Sequence, residues 1–110
     1  FGEEITMSSI RNALLKIGFS DMVEVGLGGD MTAAYEAIEW SEARKNGRKM
    51  TTSCCPAFKA MLKKHFPEQY EENLSSTVSP MCAISRYLKT THPGCVTVFI
   101  GPCIAKKAEA

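Results

Sequence analysis

The sequence lacks the features that identify several large classes of protein. Its 110 residues include 13 Lys and Arg against 12 Asp and Glu, so no charge excess favours nucleic acid or an anionic membrane as a partner. Its apolar runs are only a few residues long, far short of the roughly 20 needed to cross a bilayer. The N-terminus shows no basic start followed by a long apolar stretch, as a secretory signal would. We therefore expect a cytoplasmic protein with no membrane segment and no nucleic-acid partner.

The five cysteines show none of the usual zinc patterns. No two are spaced C-x-x-C, and no Cys/His pairing typical of zinc is present. Their odd number excludes a closed set of disulfides within one chain, although a vicinal disulfide between Cys54 and Cys55 is one alternative. Without a secretory signal we expect a reducing compartment, where cysteines serve metals or catalysis more often than disulfides.

The composition, with 45% hydrophobic and 23% charged residues, is typical of one globular domain, which we place at 1–110. Helical periodicity alternates with short β-type segments, and this order predicts an α/β fold. We expect a parallel sheet of about three to four strands flanked by helices.

Because residue 1 is not Met and residue 110 lies in a predicted helix, we also expect a fragment of a longer protein. The predicted helices are 6–17, 31–45, one from Pro56 to Pro67, one from Pro80 and one after Cys103; the predicted strands are 21–26, 49–53 and 96–100.

Two segments carry the candidate chemistry, residues 52–58 (TSCCPAF) and 99–107 (FIGPCIAKK). Each places cysteine and proline where a predicted strand gives way to a helix, and such junctions share one edge of a parallel sheet. A helix N-terminus favours a thiolate, and so a bound metal or an anionic metal–sulfur cluster. The alternative is that these cysteines are buried as small apolar side chains. A 4Fe–4S cluster normally takes four thiolates, so a metal site here needs ligands from elsewhere.

TSCCP and the pattern PCxxKxxE at residues 102–109 stand in this order, about 50 residues apart. The pair resembles the first two active-site motifs of iron-only (FeFe) hydrogenases. The resemblance implies that the chain is one lobe of the catalytic domain, at the C-terminal end of the large subunit. It also implies the cofactor of that family, the H-cluster, in the parent protein. This group is a 4Fe–4S cubane joined through cysteine to a di-iron unit that carries CO, cyanide and a bridging dithiolate amine.

The resemblance assigns roles to single residues of the two motifs. It implies that Cys55 and Cys103 are ligands of the cubane, and that the unligated thiol of Cys54 passes protons to the bridging amine. Lys106 matches the lysine that hydrogen-bonds a cyanide ligand, and an ammonium with three donors suits an anionic ligand. Lys107 is the alternative in which a lysine is simply solvated.

The resemblance also implies a proton route through polar residues outside the two motifs. Glu36 and Glu39 are three residues apart on a predicted helix and so share a face, and they lie upstream of TSCCP at nearly the family spacing. Ser75 resembles the family serine between the two acids, with Ser76 as the alternative if the alignment shifts by one residue. Carboxylates and a hydroxyl within reach can transfer protons. The alternative is an ordinary solvated helix face that also includes Glu42.

Two departures from the family bear on activity. Gly101 stands where the second motif commonly has Met, which predicts a roomier pocket or a divergent member of the family. The third motif, with two more cysteines and a glycine run, is absent from the sequence. We therefore expect the isolated chain to bind no H-cluster and to be inactive.

The resemblance implies a parent enzyme of anaerobic metabolism that reversibly reduces protons to dihydrogen. Its expected partners are ferredoxin or a similar electron carrier and the proteins that mature the cluster. One alternative is a hydrogenase-like iron–sulfur protein with a sensing or cluster-delivery role and no hydrogenase activity. Another is a plain α/β domain with incidental cysteines.

Overall fold

The regular structure of the chain is helical. The computed structural model describes Gly2 and residues 4–110. None of the helices in this part of the chain is both long and apolar enough to cross a membrane. The elements, in order, are α1 (Met7–Lys16), α2 (Val25–Lys45), α3 (Pro56–His65), α4 (Pro67–Asn73), α5 (Pro80–Thr91) and a 3₁₀ helix (Ile104–Ala108).

The predicted parallel sheet is wrong, because the described residues contain no strand ladder and only one isolated parallel bridge, between Thr51 and Leu74. The predicted strand 21–26 runs into the start of α2, and 49–53 contributes only to that bridge. In 96–100, exposed and half-buried side chains alternate as in a strand. A period of two indicates which side chains of a segment face the protein and which face solvent. It does not indicate whether another strand lies beside the segment. No such partner is present among residues 4–110.

Local signals at helix ends were more reliable than the strand pattern. The Thr6 hydroxyl accepts a bond from the backbone of Ser9 at the start of α1, and Gly18 follows that helix with a φ of 107°. Ser79 caps α5 and Pro80 occupies its first turn. The predicted helix 6–17 and the predicted start at Pro80 agree with these ends, because hydroxyl caps, first-turn prolines and terminal glycines act locally.

The start of α2 differs from the prediction. We expected this helix over 31–45, but it begins at Val25 and includes the three glycines of residues 26–29. A Cβ built on Gly28 would lie 2.2 Å from the carbonyl oxygen of Pro80 and 3.0 Å from Cβ of Ile84. Gly28 thus allows α2 and α5 to approach closely, and this tertiary contact outweighs the low helix propensity of glycine.

The third and last predicted helices also need correction. Pro67 does not close α3; it occupies the first turn of the separate helix α4, after Phe66. The segment after Cys103 forms a short 3₁₀ helix, not an α-helix.

The buried core is small. The most extensive helix contact joins α2 and α5, and the buried apolar side chains are Ala43, Leu62, Met81, Ala83 and Ile84. The radius of gyration is 16.8 Å, against about 13 Å for a compact chain of this length. Many large apolar side chains consequently remain exposed, among them Val96, Val98 and Ile100.

Gly28→Ala should destabilise the chain by about 1–3 kcal/mol, because the new methyl group meets backbone that cannot rotate away. The measurement is the free energy of unfolding in urea. The matched control is Gly29→Ala, since nothing lies within 4 Å of a Cβ at that position. This control should stabilise by up to about 1 kcal/mol. Equal effects of the two substitutions would contradict the close contact.

Candidate functional site

The first cysteine motif forms the loop that leads into α3. Cys55 is the N-cap residue of α3 and Pro56 occupies the first turn, where proline loses no needed N–H. Cys55 is exposed and Cys54 is half-buried. The exposed position of Cys55 argues against the alternative that it is buried as a small apolar side chain.

The second motif lies just before the 3₁₀ helix. Cys103 is the residue that precedes this helix, and it is exposed. Beside it, the ring of Phe99 packs over Gly101: a Cβ at Gly101 would lie 2.7 Å from Cζ of Phe99. The expected roomier pocket at Gly101 is therefore partly filled by Phe99.

Lys106 joins the two motifs. Its Nζ donates one hydrogen bond to the backbone oxygen of Cys54, at 3.0 Å, and another to Oε2 of Glu109, at 2.9 Å. The 3₁₀ helix also contacts α3. The exposed thiols of Cys55 and Cys103 thus stand at the beginnings of two elements that touch each other. The segments meet through this lysine, and not at the sheet edge that we expected.

Glu109 completes this cluster. Burial raises the pKa of its carboxyl, but the bonds from Ser79 and Lys106 and the charges of Lys106 and Lys59 together hold that pKa below its ordinary value. Glu109 is therefore a carboxylate at neutral pH, paired with the Lys106 ammonium.

Glu39 is bonded to the segment that precedes α5. Ser75 Oγ donates to its Oε2 at 2.6 Å, and the Ser76 backbone N–H donates to its Oε1 at 3.0 Å. The Thr77 hydroxyl is 3.4 Å from Oε2. Burial raises the pKa of the Glu39 carboxyl, but these bonds outweigh it and the pKa lies below the ordinary value. Ser75 and Ser76 both touch Glu39, the first through its hydroxyl and the second through its backbone.

Glu36 is bonded to the first motif. Its Oε1 accepts from the Thr52 hydroxyl at 2.7 Å and from the Ser53 backbone at 3.2 Å. Thr52 Oγ1 in turn accepts from the Cys54 backbone N–H at 3.4 Å. Glu36 and Glu39 therefore are not a plain solvated face of α2, since each holds one loop of the candidate site.

The two loops are also fastened to each other. The Thr51 N–H donates to Asn73 and the Ser75 N–H donates to Thr51, at 2.7 and 2.8 Å. The buried Ser53 hydroxyl donates to the carbonyl of Thr77. Glu36, Glu39, Ser75 and the Cys54 loop consequently belong to one connected polar region.

The sequence predictions missed several residues of this region: Thr52, Ser53, Thr77, Ser79 and Glu109. Three of them lie within the recognised motifs, so their positions were marked but their contacts were not. Hydroxyl and carboxylate partners depend on how distant segments meet, which a local pattern does not specify.

The donors available for a metal are few. Among the described residues no group of three or more His, Cys, Asp or Glu side chains is placed to hold a metal ion. All five cysteines are free thiols, so the vicinal disulfide alternative is not observed. Exposed thiols at Cys55 and Cys103 suit iron–sulfur ligation, but they supply only two ligands. By number and exposure, these residues fit two of the four ligands that a cubane normally takes.

Comparison with known proteins decides the family. The sequence model described as "Iron only hydrogenase large subunit, C-terminal domain" matches residues 1–110. The chain belongs to the iron-only hydrogenase large-subunit family. This confirms the family indicated by the motifs, while the roles of individual residues stay predictions.

One curated relative supports the same conclusion. The chain is 34% identical, over 120 aligned residues, to "Iron hydrogenase 1" of Clostridium pasteurianum. The alignment covers the whole chain but only 21% of that relative, so the chain spans about a fifth of its length. No solved structure gave a significant match.

The Ser75 hydroxyl should be what keeps the Glu39 pKa low. In Ser75→Ala that pKa should rise towards 4.5, the ordinary value. Because the folded state holds Glu39 below this value, its contribution to stability is present above pH 4.5 and is lost as the pH falls through the lowered pKa. Stability should therefore depend less on pH in this range in the variant. Carboxyl NMR titration and urea unfolding measure the two effects.

The control for this substitution is Ser41→Ala. Ser41 is an exposed serine on α2, the helix that carries Glu39. It should leave the Glu39 pKa unchanged. A Glu39 pKa that is the same in Ser75→Ala and in the wild type would show that this hydroxyl does not stabilise the carboxylate.

Proposed function

We propose that the chain forms part of the H-cluster domain of an iron-only hydrogenase, which reversibly reduces protons to dihydrogen. The observation that carries this proposal is the Lys106 bridge between the two cysteine motifs, 52 positions apart in sequence. Near this bridge, α3 and the 3₁₀ helix contact each other, and each begins directly after one exposed cysteine of the two motifs. Ferredoxin, or a similar electron carrier, and cluster-maturation proteins are the partners that family membership favours.

The residues that would hold the cofactor are Cys55 and Cys103, with Lys106 beside them. When bound, the H-cluster supplies the iron centre at which protons and electrons are interconverted with dihydrogen. The chain contributes two thiolates and a positive charge, which suits an anionic metal–sulfur group. Because two ligands do not complete a cubane, we expect residues 1–110 alone to be inactive.

The remaining polar residues would deliver protons to Cys54. Glu39 is bonded to the Ser75 hydroxyl, and Glu36 to the Thr52 hydroxyl, which adjoins the Cys54 backbone. A carboxylate can take a proton from a hydroxyl or from water and release it to the next group. Cys54, half-buried between this region and Lys106, would be the last residue of the chain to hold the proton.

Replacing the proposed proton donor should reduce turnover strongly. In the full-length protein with its cluster, Cys54→Ala should lower hydrogen evolution by about 10²–10⁴-fold, the usual contribution of a proton-transfer group. The infrared bands of CO and cyanide should remain, because Cys54 holds no iron in this account. Cys95→Ser, a half-buried cysteine outside the site, is the control. Full activity in Cys54→Ala and Cys54→Ser would refute the assigned role.

Removing either proposed ligand should have a different result. Cys55→Ala and Cys103→Ala should each reduce the iron and sulfide content of the full-length protein after anaerobic maturation. Cys82→Ala, half-buried at the start of α5, should retain the wild-type content. Unchanged iron and sulfide in both ligand variants, on chemical analysis, would show that the cluster is held elsewhere.

The second candidate function is an iron–sulfur protein of the same family that does not turn over dihydrogen. Gly101, with Phe99 packed over it, is the observation that favours this alternative. Infrared spectra distinguish the two functions, since CO and cyanide bands belong to the H-cluster alone. Iron and sulfide without these bands would favour the second function.

A further inference from the structure

We propose that Glu109 is a positioning residue that holds the Lys106 ammonium towards the Cys54–Cys55 loop, so that its remaining N–H serves the anionic group bound there. The identity of that group rests on the proposed function. The interaction between Glu109 and Lys106 does not, because it is a contact between two side chains of this chain.

The number of donors on Lys106 supports the inference. An ammonium has three N–H groups, and Nζ uses one for Cys54 and one for Glu109. No third hydrogen bond from Nζ is present among the described residues. With two acceptors bound, one N–H of an ammonium that lies 3.0 Å from the Cys54 carbonyl stays available for a further acceptor.

Glu109 is itself held in place, as a positioning residue must be. Only 17% of its side chain is exposed, and 13% of that of Lys106. The fully buried Ser79, which caps α5, and the charge of Lys59 both help to lower the pKa of its carboxyl. Glu109 thus lies in a partly enclosed position at the end of the 3₁₀ helix, which itself packs against α3.

An ordinary pair of charges on a helix surface would look different. Pairs three residues apart on an exposed helix contribute little and move freely. Here the lysine reaches out of its own helix to a backbone carbonyl 52 positions earlier, and both partners are largely buried. Burial strengthens the interaction and restricts the lysine to one arrangement.

The first test measures the freedom of Lys106 directly. In the full-length protein without its cluster, trace acetylation followed by peptide mass spectrometry gives the reactivity of Lys106 relative to the exposed Lys107. In Glu109→Gln and Glu109→Ala this ratio should rise by at least about tenfold, the effect of losing one charged hydrogen bond. Glu71→Gln, an exposed glutamate on α4, is the matched control and should leave the ratio unchanged.

The second test measures the effect on the bound group. In the matured full-length protein, the infrared cyanide bands of Glu109→Gln should shift towards those of Lys106→Met, and the CO bands should shift less. A purely structural role of Glu109 would not move the cyanide bands selectively. Circular dichroism confirms that each variant is folded, and Glu109→Gln keeps the size of the side chain.

Each outcome decides a separate statement. An unchanged Lys106 reactivity in both Glu109 variants would overturn the proposal. So would cyanide bands that move in Lys106→Met but stay at wild-type positions in Glu109→Gln. If the wild-type protein shows no CO or cyanide bands, the proposed function fails and the assignment of an anionic acceptor fails with it. The acetylation result then still decides whether Glu109 holds Lys106.

Discussion

The hydrogen bond from the Lys106 ammonium to the carbonyl of Cys54 is the interaction on which the candidate site depends. It is the contact that joins the side chain of the second motif to the backbone of the first. Hydrogen bonds to charged groups contribute about 1.5–3 kcal/mol net, which is a large part of the stability of a chain with so small a core. Glu109 accepts a second hydrogen bond from the same ammonium. The charge of Lys106 is therefore paired while its bond to Cys54 is kept.

A second set of contacts attaches the same region to α2. Glu36 and Glu39 accept bonds from backbone N–H groups of two loops that are also bonded to each other. These carboxylates therefore shape the loops and, in the proposed function, also pass protons. The lowered pKa of Glu39 keeps it ionised at rest, so it would hold a proton only transiently. Structural and chemical roles of these acids are thus coupled, and a substitution that removes one will affect the other.

The sequence predicted what depends on neighbouring residues and failed where distant segments decide. The capping residues Thr6 and Ser79 determine helix starts locally, and the predicted starts at residue 6 and Pro80 lie at these positions. The alternation in 96–100 was recognised, but a sheet requires partner strands that the described residues do not provide. The predicted helix 31–45 left Gly28 outside α2, and its role emerges only from the contact with α5. Glu109 is the last residue of a motif, and its spacing of three from Lys106 is a local signal for their pairing. The bond from Lys106 to Cys54, 52 positions earlier, depends on the fold.

The central claim is that the first and second motifs place Cys55 and Cys103 at one site before any cluster is present. A short bifunctional thiol reagent tests it in the metal-free full-length protein, with Cys54 replaced by Ala so that it does not compete. We expect a cross-link between Cys55 and Cys103 on peptide mapping, and we expect less of it when Lys106→Met removes the bridge. Single-site adducts alone at both cysteines, in a protein that is otherwise folded, would contradict it.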